Sequence, residues 1–252
     1  MRDCTDKVKV RDYVRERIGK EYLKPVLQVI RSEESGVRSN NLTANSSLLT
    51  TNLFDKVDFE KLPNTFIIKC NHGCKWHFII KNKKEFLKNK RLFDIIRRNI
   101  TGYLEQDYSF WSGFELNYNG IEPKILIEPL MRDKINEPCE EIEVYCFNGI
   151  PEILVKFYGG VEKGLTVYNK NFNQIPDIFD FFENKINCKA DELIKQALNL
   201  SEKLARKFNF VRVDWMIFQN RLYFEELTFT PYSGFHKFKN KTNNIELGKM
   251  IT

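Results

Sequence analysis

The sequence predicts a mixed fold in which antiparallel strand pairs alternate with amphipathic helices, and three stretches carry that prediction. The first is a pair of strand-like runs at residues 210–218 and 222–229, FVRVDWMIF and LYFEELTF, separated by Gln219, Asn220 and Arg221. The second is a hairpin over residues 141–147 and 152–158 around Asn148-Gly149, the strongest short turn signal in the chain. The third is residues 190–208, where Leu193, Ala197, Leu200, Leu204 and Phe208 recur at helical spacing. With 252 residues, the chain is long enough for one large domain or two small ones sharing a cleft.

Taken in order, residues 6–18 read as a helix closed by Gly19, and residues 23–30 are apolar enough for a strand. Residues 31–51 are rich in Ser, Asn and Thr without sustained period and read as a surface loop. Residues 65–70 and 76–81 are strands around a turn at Asn71-His72-Gly73-Cys74-Lys75, and residues 83–100 a basic helix with Phe86, Phe93, Ile96 and Ile100 on one face. Residues 123–130 and 164–169 add two more strands. No internal repeat is visible.

Net charge is +6, from 40 basic and 34 acidic residues. That mild excess suits an anionic ligand and is too dispersed to argue for nucleic-acid binding. No apolar run approaches bilayer length, and the opening MRDCTDKVKV is charged where a signal peptide would be apolar, so stable membrane insertion is not expected and a cytoplasmic location is. Cys4, Cys70, Cys74, Cys139, Cys146 and Cys188 lack the paired spacing of a disulfide framework. Cys70, His72, Cys74 and His77 resemble a zinc set, but four ligands in eight residues leave little chain to wrap a tetrahedron. Free thiols in a loop are the simpler reading.

The charged residues of the 210–229 stretch are the main functional signal. Arg212, Asp214, Glu225 and Glu226 interrupt an apolar alternation, and charges on a half-buried strand cost several kcal/mol unless compensated. Arg212 and Asp214 share a face, with Val211, Val213, Trp215 and Ile217 on the other. A three-residue loop would set Asp214 opposite Glu226, with Glu226 and Thr228 on the face of Leu222 and Phe224 and Glu225 turned away. A two-residue loop would pair Asp214 with Glu225 instead. Facing carboxylates repel unless a divalent cation lies between them. The ordinary alternative is an exposed hairpin whose Arg212 pairs with a neighbouring acid. Likewise Lys69, at the end of its strand, with the backbone N–H groups of the following turn, can cradle a phosphate or belong to a plain hairpin.

The series KCNHG, ILIEPL, CFNG, FVRVD, FEELTF and PYSGF, in that order, resembles the TupA-type ATP-grasp family, and DKVKVRDYVRERIGKEYL resembles that family's opening segment. The resemblance runs from about residue 6 to residue 251. Members usually carry further sequence before this point, so a reduced first subdomain is expected. The implied fold is α+β, with two subdomains whose antiparallel sheets grip MgATP. The implied division is an N-terminal segment over 1–64, a small subdomain over 65–130 and a catalytic subdomain over 131–252.

By that resemblance Lys69 reaches the nucleotide phosphates, and Asn71, His72 and Gly73 form the loop over them. Glu128, Pro129 and Leu130 are the hinge whose backbone reads adenine. Arg212 steadies the transferring phosphoryl group, and Asp214 and Glu226 hold Mg2+. Thr228 stands where many wider ATP-grasp enzymes have Asn, and Pro231, Ser233 and Gly234 lie nearest the acceptor substrate. Two departures stand out. Glu143 replaces a frequent Lys before CFNG, with Lys156 a possible substitute, and Lys75 replaces a frequent glycine. The implied activity is ligation of a carboxylate to an amine through an acylphosphate, on a uronic acid or acidic sugar in surface-polysaccharide synthesis. The alternative is a catalytically inactive nucleotide-binding module of a polysaccharide-assembly complex.

Overall fold

In the computed structural model, every strand pairing among the described residues is antiparallel, and the described strands fall into two sheets. The structure describes residues 1–251 except 33–52, 112, 133, 135, 160–163, 176–188, 236, 238 and 240. The loop expected over 31–51 and Cys188 therefore lie largely or wholly outside the described residues.

The smaller sheet has the order β1-β4-β2-β3, from β1 (Gln28–Ile30), β2 (Phe66–Cys70), β3 (His77–Ile80) and β4 (Ile125–Pro129). Its core is rich in phenylalanine: Phe54, Phe59, Phe66, Phe86 and Phe93 pack ring on ring. The helix expected over 83–100 is two helices, α3 (Lys83–Lys88) and α4 (Lys90–Leu104). The break has a local cause, because the Asn89 side chain accepts from the Leu92 N–H and starts a new helix, as Asn82 does from the Glu85 N–H.

The larger sheet has the order β10-β9-β5-β6-β7-β8, from β5 (Glu140–Phe147), β6 (Ile150–Phe157), β7 (Leu165–Asn169), β8 (Gln174–Ile175), β9 (Phe210–Phe218) and β10 (Arg221–Thr228). Asn148 and Gly149 turn β5 into β6 with φ of 50° and 79°, as the Asn-Gly signal requires. One face packs on α5 (Glu192–Ala205), where Leu200 and Leu204 meet Val211, Val213, Trp215 and Ile217, and the Trp215 indole donates to Ser201 Oγ at 2.9 Å. Each such buried side chain contributes about 1.5–3 kcal/mol.

The described residues of the 1–64 span pack partly with the larger sheet and partly with the smaller one. The helix expected over 6–18 begins only at Val10 (α2, Val10–Ile18), after a one-turn α1 (Arg2–Thr5), because Asp6 accepts from the Val8 and Lys9 N–H groups and holds residues 6–9 in a turn. Val10 and Val14 join the larger sheet's core, whereas Leu53, Phe54 and β1 belong to the smaller sheet. The strand expected over 23–30 shrinks to three residues; Leu23 instead bridges to Phe224 of the other sheet.

The β9–β10 hairpin corrects the register argument. Arg221 pairs with Phe218, so the loop is the two residues Gln219 and Asn220, at φ of 49° and 55°. That loop alone would oppose Asp214 and Glu225. A β-bulge at Glu225 absorbs one residue, and Glu226 pairs with Asp214 after all. Leu222, Phe224 and Leu227 consequently all enter the helix-side core, and Glu226 is not on the face of Leu222 and Phe224. Glu225 is not turned away either: it shares the cleft with Glu226.

Deleting Glu225 should therefore leave the register intact, since Glu226 would then follow Phe224 directly and meet Asp214. The expected result is a folded protein less stable by about 1–3 kcal/mol through loss of a charged partner. Near-UV circular dichroism of Trp215 together with urea denaturation checks this; a collapsed aromatic signal would mean the bulge itself sets the register.

Candidate active site

The cleft faces of both sheets and the N-terminal segment line one continuous set of cavities. Arg212 lies at their floor. Its guanidinium makes two 2.7 Å bonds to Asp214, a fork enforced by two residues of one strand pointing the same way, and a third contact of 3.2 Å to Glu143 on β5. The rings of Tyr145 and Tyr232 lie 5.9 and 5.8 Å from its centre. Burial pushes the Asp214 carboxyl above its usual range, Arg212 opposes this, and the carboxylates of Glu143 and Glu226 add to it. Burial also raises the Glu226 carboxyl, but Lys7 and Arg212 outweigh it and hold the group below the ordinary value. Thr228 Oγ1 lies 2.9 Å from Asp214 Oδ2 and 3.4 Å from Glu226 Oε1, so its single proton is shared between the two acids.

Around Lys69 the N-terminal segment supplies cations that sequence reasoning missed. Lys69 Nζ lies 2.7 Å from Glu128 Oε2 and 3.9 Å from Glu225 Oε2. Lys24 contacts Glu225 and lies 3.5 Å from Glu128; Arg11 lies 3.6 Å from Glu128. Burial disfavours the Glu128 carboxylate, yet Lys24 and Lys69 outweigh it and hold its pKa at about 2. Burial alone would likewise lower the Lys69 ammonium, but Glu225 and Glu128 keep it above the usual lysine value. Lys7 Nζ donates to the Gly73 carbonyl at 3.0 Å and lies 3.4 Å from Glu226. This end of the cleft thus gathers Lys7, Arg11, Lys24 and Lys69 against Glu128, Glu225 and Glu226. Beside it, Glu128, Pro129 and Leu130 line a cavity with Ile67, Met131 and Met216.

The opposite end is aromatic and acidic, with a volume of about 750 Å3. Trp76, Tyr103, Tyr108, Trp111, Tyr118 and Tyr232 line it, with Glu115, Glu141, Glu143 and Glu226 against Lys75 and Arg212. Pro231–Gly234 closes this end as a turn in which Tyr232 and Ser233 are held at φ of 52° and 55°, a conformation uncommon outside glycine and typical of constrained functional loops. Glu115 clamps that turn from the other sheet's side, accepting from Thr230 at 2.6 Å and Ser233 at 3.0 Å.

Not every expected residue faces the cleft. Lys156 pairs with Ile142 and so points to the helix face of the larger sheet, where it meets Asp191 at 2.8 Å and Glu140 at 3.4 Å; from there it cannot serve as the phosphate-binding cation that Glu143 does not provide. Asn71 and His72 are buried beneath the loop, not exposed on it. Asn71 ties Asp6, the Glu122 carbonyl and the Lys124 N–H, and the two His72 ring nitrogens lie 3.2 Å from Asn71 Oδ1 and 3.1 Å from the Tyr103 carbonyl, to one of which the neutral ring donates its single N–H. Gly73 has a steric reason to be glycine, since a Cβ there would stand 2.3 Å from the Trp76 ring. Lys75 sits at φ 60°, the conformation a glycine would adopt without strain. Among the described residues, no helix is long and apolar enough to cross a membrane.

His72 gives a pH test of this packing. Burial pushes its pKa from 6.5 down to about 4, so the folded state keeps the ring neutral. Its contribution is complete above pH 6.5 and is lost as pH falls through about 4, a decline of about 3 kcal/mol. Urea denaturation at pH 7 and pH 4.5 should show a smaller drop for His72→Gln than for the wild type. Equal drops would mean that the ring is charged in the fold.

Three comparisons with known proteins complete the picture. Against solved structures, a D-alanine–D-alanine ligase from Bacillus anthracis aligns with 16% identity and a TM-score of 0.47, covering 98% of this chain and 65% of that one. D-Alanine–D-alanine ligase from Helicobacter pylori aligns with 13% identity and a TM-score of 0.42, covering 91% and 55%. The chain thus spans about half to two thirds of the length of these structures. None of the curated proteins matches it. The family model described as TupA-like ATPgrasp, however, matches residues 2–252, and on that match the chain belongs to the TupA-like ATP-grasp family.

Proposed function

We propose that the protein is an ATP-dependent ligase that joins a carboxylate to an amine through an acylphosphate. The observation that carries this reading is the division of charge along one cleft. Four cations outnumber three carboxylates around Lys69, which suits a triphosphate, and carboxylates outnumber cations at the aromatic end, which suits an amine. Arg212 and the Asp214–Glu226 pair stand between the two ends.

In this reading the residues 128–130 segment holds adenine, and Lys69 turns from Glu128 towards the phosphates. Asp214 and Glu226 would hold Mg2+. Among the described residues no group of three His, Cys, Asp or Glu side chains is arranged for a metal. Two carboxylates fit an ion that is usually held by one or two such groups together with phosphate oxygens and water. The ion supplies neutralisation of phosphate charge. A substrate carboxylate oxygen attacks the γ-phosphorus, ADP leaves, and the amine nitrogen then attacks the acyl carbon with loss of phosphate and a proton. Arg212 steadies the phosphoryl oxygens, and Glu115 and the Pro231–Gly234 turn shape the site for the amine. Water must be kept from the acylphosphate, and the aromatic wall supports that role.

The substrate is inferred to be a uronic acid or acidic sugar of surface-polysaccharide synthesis, in keeping with the family resemblance. The aromatic lining of this end, with Trp111 and Tyr232 among its exposed residues, supports it, since aromatic rings suit the apolar face of a sugar ring. A cytoplasmic location goes with ATP as substrate. One observation favours the second reading, an inactive nucleotide-binding module: Glu143 already engages Arg212.

Incubation with MgATP, a panel of uronic acids and a panel of amines should release phosphate with at least one pair. MgATP binding without turnover on any pair would favour the inactive module. Lys69→Ala should weaken ATP binding by about 1.5–3 kcal/mol, the scale of a charge-assisted hydrogen bond. Calorimetry checks this, and an unchanged affinity would remove Lys69 from the site.

A further inference from the structure

We propose that Lys7 is a built-in place-holder for the metal: in the free protein its ammonium occupies Glu226, so that a divalent cation binds strongly only together with nucleotide. The inference rests on the reading of Asp214 and Glu226 as the metal carboxylates and concerns how that site is kept before ligands arrive.

Four observations support it. First, Lys7 is fixed from behind. Its backbone N–H donates to the Asn71 carbonyl at 3.2 Å, and neighbouring Asp6 accepts from the Asn71 side chain at 3.0 Å, so the loop that carries Gly73 also positions Lys7. Second, the ammonium is held loosely. It has one ordinary bond, 3.0 Å to the Gly73 carbonyl, and a long 3.4 Å contact to Glu226, whereas Lys69 closes to 2.7 Å on Glu128. Third, Asp214 compensates poorly, because each of its oxygens already accepts from the Arg212 fork and Oδ2 accepts from Thr228 as well. Fourth, among the described residues no third His, Cys, Asp or Glu joins the pair in a metal-binding group.

A bare divalent cation would therefore have to expel an ammonium from Glu226 and find its remaining ligands in water. A triphosphate changes both conditions. Its oxygens complete the metal's coordination, and its negative charge gives Lys7 another partner within the sweep of its four-carbon stem. Metal and nucleotide then strengthen each other's binding, and linkage requires the effect to be reciprocal.

The test is metal binding without nucleotide. Mn2+ titrations, with free Mn2+ read by electron paramagnetic resonance, would compare the wild type with Lys7→Met, which keeps the stem and removes the charge. Lys7→Met should bind Mn2+ alone about five- to tenfold more tightly, the lower range of typical coupling, while the gain in Mn2+ affinity on adding a non-hydrolysable ATP analogue shrinks by a similar factor. Lys7→Arg, which keeps the charge, should behave like the wild type. Lys9→Met, which removes a cation of the same segment that pairs with Asp3 outside the cleft, should leave metal-only affinity unchanged. If Lys7→Met does not fold, Lys7→Gln takes its place. Unchanged or weaker Mn2+ binding in the neutral variant overturns the proposal, as does an equal gain in Lys9→Met. Absence of Mn2+ binding in the wild type even with the ATP analogue would instead overturn the nucleotide-site reading itself.

Discussion

The cleft depends on an ion pair that the strand itself enforces. Arg212 and Asp214 are two residues apart on β9, share a face, and close a two-bond fork at the floor of the site. Both are buried, so removing Arg212 would leave the Asp214 carboxylate without its cation at a cost of about 3–5 kcal/mol, whereas removing Asp214 would still leave Glu143 beside the guanidinium. What surrounds the pair follows from this. Glu143 adds a second carboxylate to the guanidinium, Thr228 shares its proton with Asp214 and Glu226, and the Tyr145 and Tyr232 rings cover the cation's faces. With Arg212 committed to Asp214, Glu226 has the more weakly held partner of the two acids. The site is thereby asymmetric before any ligand reaches it.

The bulge at Glu225 turns both glutamates of β10 into the cleft. Strand period would send residues 225 and 226 to opposite faces, and the two-residue turn would put the wrong one opposite Asp214. One extra residue in β10 returns Leu227 to the core beside Phe224 and leaves both glutamates on the cleft side, Glu226 towards Lys7 and Glu225 towards Lys24. Bulges re-aim side chains beside functional sites elsewhere, and here the gain is an acid for each of two N-terminal lysines.

Much of this was legible where the signal is local. Asn148-Gly149, the alternation of Val211, Val213, Trp215 and Ile217, and the Leu200–Leu204 stripe are short-range patterns, and the structure follows them. The Asp214–Glu226 pairing was anticipated for an incorrect reason, since a three-residue loop and a two-residue loop with a bulge give the same partner, and nothing in the sequence marks the bulge. Lys156 was misplaced because an apolar run buried on both faces hides which side a lysine takes. His72 and Asn71 read as loop residues because burial beneath a turn depends on distant partners such as Asp6 and the Tyr103 carbonyl. Lys24 was the avoidable omission. It stands in the apolar run LKPVLQVI, and the reasoning that singled out Arg212, a charge in a strand-like run, applies to it unchanged.

Lys7, Arg11 and Lys24 also tie the N-terminal segment to both sheets. Their backbones belong to a segment whose Val10 and Val14 pack with the larger sheet, yet their side chains reach Glu128 of the smaller sheet and Glu225 and Glu226 of the larger one. Each carboxylate would be costly to enclose without these cations, and the cations without the carboxylates, so closing the cleft depends on both sheets and the N-terminal segment together. That arrangement has a consequence for binding. If this end takes a polyphosphate, as proposed, the ligand meets no bare charge that must first be stripped of water. It meets ammonium groups already desolvated and already paired, and its oxygens can replace Glu128, Glu225 and Glu226 as their partners. Binding becomes an exchange of one set of ion pairs for another, which keeps the empty protein stable and leaves the difference between the two sets to decide affinity.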